Sequence, residues 1–287
     1  MTEYFSPLRY PGGKGKLVPF FERFIIDNGL SDGVYIEPYV GGGAVALSLL
    51  LKEYVSRIVI NDKDRSLYAF WYSVLHHSEE MCRLIADTPV NMDIWHNMRD
   101  IQNHKEDVDL LSLGFSSFFL NRTNRSGILK AGVIGGHEQV GNYKIDARYR
   151  KENLISRIRR IATYADRIEL HNEDAVDLVT DIAQAAGPDT LLYLDPPYYK
   201  KGQGLYMNYY NDSDHTQICD VISKVNTLHW VVSYDNSAFI KDLYNGFRSQ
   251  EFELNYSANN KGKGTEVMFF SDNCRLTEEM FNKIHII

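Results

Sequence analysis

Three short apolar runs punctuate the chain: GVYIE at Gly33–Glu37, RIVI at Arg57–Ile60 and TLLYL at Thr190–Leu194. Each ends at an acidic residue or an asparagine. Uninterrupted apolar runs of this length predict strands covered on both faces, the pattern of a parallel sheet. Between the first two lies Gly41-Gly42-Gly43 followed by the helix-length segment Ala44–Leu51. Residues 33–62 therefore predict a strand, a helix and a second parallel strand. Arg167–Leu170 and Trp230–Ser233 predict further strands. Gln250–Phe270 alternates around Asn259–Gly264, which predicts an antiparallel hairpin with a mobile tip, closing the edge of the sheet. From Arg65 to Ala165 the pattern becomes helical, interrupted over Leu120–Asn142 by Gly, Asn and Ser. That break predicts an inserted domain over 65–165, with 1–64 and 166–287 forming an α/β domain around it. No internal repeat or low-complexity tract is present.

Composition narrows the class. With 44% hydrophobic and 24% charged residues in 287, the chain can bury a full core, and it lacks both the charge excess of disordered chains and a bilayer-length apolar run. No membrane association is expected. Met1-Thr2-Glu3-Tyr4-Phe5 resembles neither a secretory signal nor a transit peptide, so a cytoplasmic location is expected. Cys82, Cys219 and Cys274 are odd in number, far apart and without a CxxC pair, which argues against a disulfide framework or a zinc site. The net charge of -7 argues against a chain that coats nucleic acid along its whole surface. Local density differs: Arg148, Arg150, Lys151, Arg157, Arg159, Arg160 and Arg167 are opposed within their own stretch by Glu152 and Asp166 alone. That stretch reads either as a solvated helix face or as a phosphate-binding one.

Three constellations carry chemistry. In Glu37-Pro38-Tyr39-Val40-Gly41-Gly42-Gly43-Ala44-Val45-Ala46, glycine turns a predicted strand into a predicted helix and lets a ligand approach the backbone. Asp62, about 20 residues on at the end of the next strand, suits ribose hydroxyls. The pattern fits NAD, FAD or S-adenosylmethionine, and equally a purely structural turn. Asp195-Pro196-Pro197-Tyr198 follows the third apolar run, where ligands bind in open α/β sheets. Its two prolines fix φ and remove two donors, so the chain leaves the sheet on a stiff path. Such a path presents Asp195 and the Pro196 carbonyl as acceptors for the protons of an exocyclic amine, with Tyr198 placed to stack on its ring. In Tyr10-Pro11-Gly12-Gly13-Lys14-Gly15-Lys16 the residue after Lys16 is Leu17, so the phosphate-loop spacing fails and a nucleoside triphosphatase is disfavoured. Lys14 is left to pair with a carboxylate or a phosphate, or to be solvated.

In this order, PGGK, glycine turn, inserted domain and Asp-Pro-Pro-Tyr, the motifs resemble the Dam-like, D12-class family of DNA N6-adenine methyltransferases over nearly the whole chain. The resemblance implies a Rossmann-like methyltransferase fold with a mixed seven-stranded sheet and a mostly helical target-recognition domain. It implies S-adenosyl-L-methionine as cofactor, held by Tyr10, Lys14, Glu37, Pro38, Gly41, Gly43, Asp62 and Asp195. Asp174 matches the family's carboxylate toward the cofactor's adenine, and reads equally as a solvated residue at a helix start. Asp195, Pro196, Pro197 and Tyr198 are implied as the catalytic set. The partner implied is double-stranded DNA, with the target adenine rotated out of the stack and no metal required.

Within the insert, Leu120-Asn121-Arg122 and Gly127 resemble the family segment that precedes a DNA-contacting loop. Asn121, Arg122, Arg125, Ser126 and Lys130 are the DNA-binding candidates, against a loop held by Asn and Ser caps. Arg125 and Ser126 replace the aromatic residue and asparagine of the GATC-reading members, and Lys130 replaces a base-reading arginine. The resemblance therefore does not carry that recognition sequence over. Three other functions compete: a methyltransferase acting on RNA or a small amine, a non-catalytic nucleic-acid-binding relative, and a nicotinamide oxidoreductase. The last leaves Lys14 and Asp195-Pro-Pro-Tyr198 without a role.

Overall fold

The structure is a computed structural model describing residues 4–10, 13–199, 210–255 and 263–285. Pro11 and Gly12, and Asn259–Gly262 of the expected hairpin tip, lie outside the described residues. The strands are β1 (Val34–Glu37), β2 (Arg57–Asn61), β3 (Ile168–His171), β4 (Thr190–Leu194), β5 (His229–Asp235), β6 (Arg248–Asn255) and β7 (Lys263–Phe270). The helices described are α1 (Val18–Asp27), α2 (Ala44–Leu51), α3 (Arg65–His76), α4 (Ser78–Asp87), α5 (Met92–Asn103), α6 (Leu110–Thr123), α7 (Lys151–Ala162), α8 (Ala175–Ala185), α9 (Asp212–Ile222), α10 (Ala238–Leu243) and α11 (Glu278–His285).

The strands form one seven-stranded sheet in the order β3-β2-β1-β4-β5-β7-β6. Pairing is parallel from β2 through β5, with Ile36 opposite Val59 and Leu192, and Leu192 opposite Trp230. β7 runs antiparallel to both β5 and β6. The fold is thus the mixed seven-stranded Rossmann-like one expected. The apolar runs become strands because every residue of β4 is buried, and Ile36, Leu192, Leu194, Trp230 and Val232 share one core. The hairpin of β6 and β7 forms, but β7 lies inside the sheet, between β5 and β6, and β6 is the edge.

Two compact units divide the chain. One comprises Lys14–Val40, Ala44–Lys63 and Glu173–Ile287. In it α2 is buried from Val45 through Leu51, which explains why its sequence is apolar all round instead of amphipathic. The other comprises Met1–Gly13, Gly41–Gly43 and Asp64–Asn172. It differs from the expected 65–165 by taking in the N-terminal segment and the glycine turn. The reason is packing: the Trp71 indole donates to the Gly41 carbonyl at 3.1 Å, and the Tyr10 ring lies against Gly41. Its helices α3, α5 and α6 start on side-chain caps at Asp64, Asn91 and Asp109. Helices α3 and α6 approach so closely at Gly114 that a Cβ there would lie 2.4 Å from the Ala69 carbonyl. Cys82, Cys219 and Cys274 are free and buried. Among the described residues no helix is long and apolar enough to cross a membrane.

Candidate active site

The carboxyl end of β4 delivers Asp195 into a cluster of buried charge. Lys14, in a 3-10 turn over Lys14–Leu17, places its ammonium 3.2 Å from Asp195 Oδ1, 2.7 Å from Glu266 Oε2 and 2.9 Å from the Tyr198 hydroxyl. The Tyr198 hydroxyl donates to Glu266 Oε1 at 2.6 Å, and the Lys14 Nζ lies 4.9 Å from the Tyr198 ring centre. From β5, Ser233 Oγ donates to Asp195 Oδ1 at 2.9 Å and shares a 2.8 Å hydrogen bond with the Tyr193 hydroxyl. Pro196 and Pro197 are buried, and two residues beyond them the Tyr199 N–H donates to Asp235 Oδ1 at 2.8 Å. The stiff exit from the sheet is thereby pinned at both ends.

Burial raises the Asp195 carboxyl, Lys14 lowers it, and Glu266 raises it again, leaving it pushed up to about 6. Burial also opposes charge on Lys14, but Asp195 and Glu266 more than offset it and hold the ammonium well above the usual lysine range. Asp195 keeps 18% of its side-chain exposure, whereas Lys14 keeps 3% and Glu266 1%. Asp195 is the member of this ion-paired cluster that solvent can reach. Tyr198 is 3% exposed, so stacking on a base would require its ring to be uncovered.

A second set of groups lies where β1 and β2 end. Glu37 is buried, and its Oε2 accepts from the Tyr35 hydroxyl and the Ala46 N–H, both at 3.2 Å. Burial first, then Asp195, pushes its carboxyl up to about 8. Asn61 ties the strand ends together: its Nδ2 donates to the Pro38 carbonyl at 2.9 Å and the Glu173 carbonyl at 3.1 Å, and its Oδ1 accepts from the Glu173 N–H at 2.8 Å. Asp62, the next residue, is half-buried. Asp174 caps α8 through Val176 N–H and pairs with Lys63 Nζ at 2.7 Å. Burial acts to raise its carboxyl, but Lys63 and the Val176 N–H bring it below the usual range.

In the other unit the glycine turn takes conformations that favour glycine, with φ of 46° at Gly41 and 62° at Gly43. A Cβ at Gly41 would lie 2.7 Å from the Tyr10 ring. The Tyr10 ring thus fills the space that a side chain at Gly41 would take.

The DNA-binding candidates separate into two kinds. Asn121 is 2% exposed and fully engaged: Oδ1 accepts from Arg9 N–H, and Nδ2 donates to the Arg9 and Gly127 carbonyls at 2.7 and 2.9 Å. Its place is inside the loop's frame, a correction to the expectation of a DNA contact. Asn124, absent from the sequence-based set, is also buried; it donates to the Ile128 and Leu129 carbonyls and accepts from the Trp95 indole at 2.7 Å. Arg125 and Lys130 are exposed on the loop so framed, and Ser126 takes a φ of 57°. Arg122 donates to the Arg148 carbonyl at 2.8 Å, and burial together with Arg9, Arg157 and Arg148 lowers its guanidinium to about 10. Three guanidinium groups from distant parts of the sequence thus join burial in depressing Arg122, an arrangement suited to phosphate. Arg9, Arg148 and Arg157 escaped the sequence-based set as a group because their proximity is tertiary. The basic stretch from Arg148 was the one available signal.

The family model described as D12 class N6 adenine-specific DNA methyltransferase matches residues 10–258. The type II methyltransferase M.MjaIII of Methanocaldococcus jannaschii is 24% identical over 277 residues, covering 89% of this chain and 93% of its own. Among solved structures, protein LPL1258 of Legionella pneumophila aligns at 12% identity and a TM-score of 0.36, over 94% of this chain and 88% of its own. The rRNA methyltransferase aviRa of Streptomyces viridochromogenes aligns at 10% identity and a TM-score of 0.35, over 88% and 84%.

Proposed function

The chain belongs to the D12 class of N6 adenine-specific DNA methyltransferases, and from that premise we propose that it uses S-adenosylmethionine to methylate adenine in double-stranded DNA at Asp195-Pro196-Pro197-Tyr198. The observation that carries the reading is the partly exposed Asp195 carboxylate, oriented by Lys14 and Ser233 on a stiff exit from β4. Both donors engage Oδ1, and we assign Oδ2 to the adenine N6 amine. The N6 lone pair is delocalised into the ring, so a carboxylate accepting a hydrogen bond from one N–H and the Pro196 carbonyl accepting one from the other favour the tetrahedral nitrogen that attacks; once the N–CH3 bond has formed, the surplus N6 proton passes to the Asp195 carboxylate. S-adenosylmethionine supplies an electrophilic methyl group and a neutral thioether leaving group. The protein's contribution is alignment and preorganised charge.

The same residues suit that cofactor. Glu37 and Asp62 stand at the carboxyl ends of neighbouring parallel strands, the position from which acidic side chains meet ribose hydroxyls. Tyr10, Pro38, Gly41 and Gly43 are assigned to the cofactor with them, and Asp174 to its adenine side. Lys14 we move from the cofactor set to the transfer site, because its ammonium sits between Asp195 and Glu266.

For DNA, Arg122 and Arg148 serve the phosphates, and the exposed Arg125 and Lys130 serve base edges or phosphates. Rotation of the target adenine out of the stack costs a few kcal/mol, offset by contacts in the pocket. The type II methyltransferase relative suggests site-specific modification alongside a restriction activity as the setting. The test is incubation with S-adenosylmethionine and either DNA or RNA, digestion to nucleosides and mass spectrometry. N6-methyladenine is expected from DNA alone and is lost in Asp195→Ala with the fold retained; an unchanged yield from that variant refutes the assignment of the site.

A further inference from the structure

We propose that Glu266 is a positioning residue for methyl transfer, its two carboxylate oxygens holding the Tyr198 hydroxyl and the Lys14 ammonium in register with Asp195. Glu266 lies in β7, opposite Asp235 of β5 and Phe252 of β6, and is 1% exposed. A carboxylate buried in a sheet interior costs several kcal/mol unless ion pairs and hydrogen bonds compensate it. Here each oxygen has its own donor: Oε1 takes the Tyr198 hydroxyl at 2.6 Å and Oε2 takes Lys14 at 2.7 Å. The two groups so held lie next to each other, with Lys14 Nζ 2.9 Å from the Tyr198 hydroxyl, and Lys14 reaches on to Asp195. One side chain on β7 therefore fixes the fourth residue of the Asp-Pro-Pro-Tyr segment and, through Lys14, its first. A pair that merely neutralised Lys14 would need only one of these oxygens. The second oxygen, spent on Tyr198, ties Glu266 to the transfer site.

The inference rests on the reading of Asp195–Tyr198 as the transfer site. The charged and titratable groups around Asp195 are Lys14, Glu37, Tyr35, Tyr193, Tyr198 and Glu266, with Ser233 as a neutral donor. Of these, Glu266 acts to raise the Asp195 carboxyl from its ordinary value, so its removal should move the acid limb of the rate profile to lower pH.

The experiment compares wild-type protein with Glu266→Gln, Tyr198→Phe and the double variant in steady-state methylation of DNA across pH. Folding is monitored by thermal unfolding. Glu266→Gln is expected to lower kcat at least tenfold while leaving the KM values for S-adenosylmethionine and DNA within threefold, with the acid limb displaced downward. Tyr198→Phe should lower kcat in wild type and change it less than twofold in the Gln background, because the amide keeps a single acceptor oxygen, which the Lys14 ammonium claims, leaving the Tyr198 hydroxyl without its carboxylate. Wild-type kcat in Glu266→Gln, a loss confined to KM, or multiplicative losses in the double variant would overturn the inference. Should Glu266→Gln not fold, Tyr198→Phe removes the same hydrogen bond from its other end, and unchanged kcat in that variant is equally decisive against it. Absence of DNA adenine methylation by the wild-type protein would instead refute the reading of the site.

Discussion

Replacing Lys14 with methionine keeps an unbranched side chain, one atom shorter, and deletes the cation between two carboxylates. With Nζ 3.2 Å from Asp195 Oδ1, unit charges in an effective dielectric of about 20 attract by about 5 kcal/mol. Solvent reaches the 18% of Asp195 that is exposed, so that figure is an upper bound. A quarter of it moves a carboxyl by about one pH unit. The direction is fixed: Lys14 lowers Asp195 whereas burial and Glu266 raise it, so Lys14→Met moves the acid limb upward from about 6, opposite to Glu266→Gln. A rise of about one unit cuts the ionised fraction at pH 6.5 roughly threefold, and kcat/KM falls with it. Stability falls as well, by about 3–5 kcal/mol, because one partner of a buried pair is removed. The Asp195 carboxyl left behind has a folded-state value raised above its unfolded one, by burial first. Its contribution is therefore most favourable at low pH and is lost as pH rises through the raised value, so the deficit in Tm against wild type should grow from pH 5 to pH 8. Initial-rate profiles and thermal unfolding at both pH values check this. An acid limb unmoved or displaced downward, or a Tm deficit independent of pH, refutes the placement of Lys14 as counter-ion to Asp195.

Glu37→Gln tests the neighbouring carboxyl. Its folded value of about 8 lies above its ordinary value, so wild type should lose about 2–3 kcal/mol relative to the variant between pH 5 and pH 7, measured by chemical denaturation. A constant difference would show that Glu37 is ionised throughout. Arg148→Ala removes an exposed cation beside Arg122, and the slope of log affinity for duplex DNA against log salt should shrink by about 0.9, read by fluorescence anisotropy. An unchanged slope would remove Arg148 from the phosphate-binding set.

Much of this was legible in the sequence where the determinant is local. Thr190–Leu194 forms a strand with those bounds because a β-branched Thr190 followed by four hydrophobic residues leaves few alternatives, and the glycine turn before Ala44 follows from backbone freedom. Asp195-Pro196-Pro197-Tyr198 was legible for the same reason. Glu266 was not: its partner Lys14 lies 252 residues away, and in an alternating strand a glutamate reads as a solvent-facing position. Ser233 gave no signal at all beyond its place in an apolar run. In the insert, the segment from Asn124 to Gly141 has no period to read, because side chains such as Asn124 and Gln139 hold it by bonding to backbone carbonyls. There the motif around Asn121 was recognisable while its physical task was not, since a buried amide and an exposed one share the same letter.

The asparagine that joins the strand ends also sets how the site can age. Asn61 works as an amide because two of its bonds are donated to carbonyls, those of Pro38 and Glu173. Hydrolytic deamidation would put a carboxylate oxygen against both, turning two attractions into repulsions at the corner that Glu37 and Asp62 flank. The sheet's apolar core would be untouched by that change. A stored preparation would thus lose the geometry of this corner with its fold intact, and a mass gain of a single dalton at one buried position would be the trace of it.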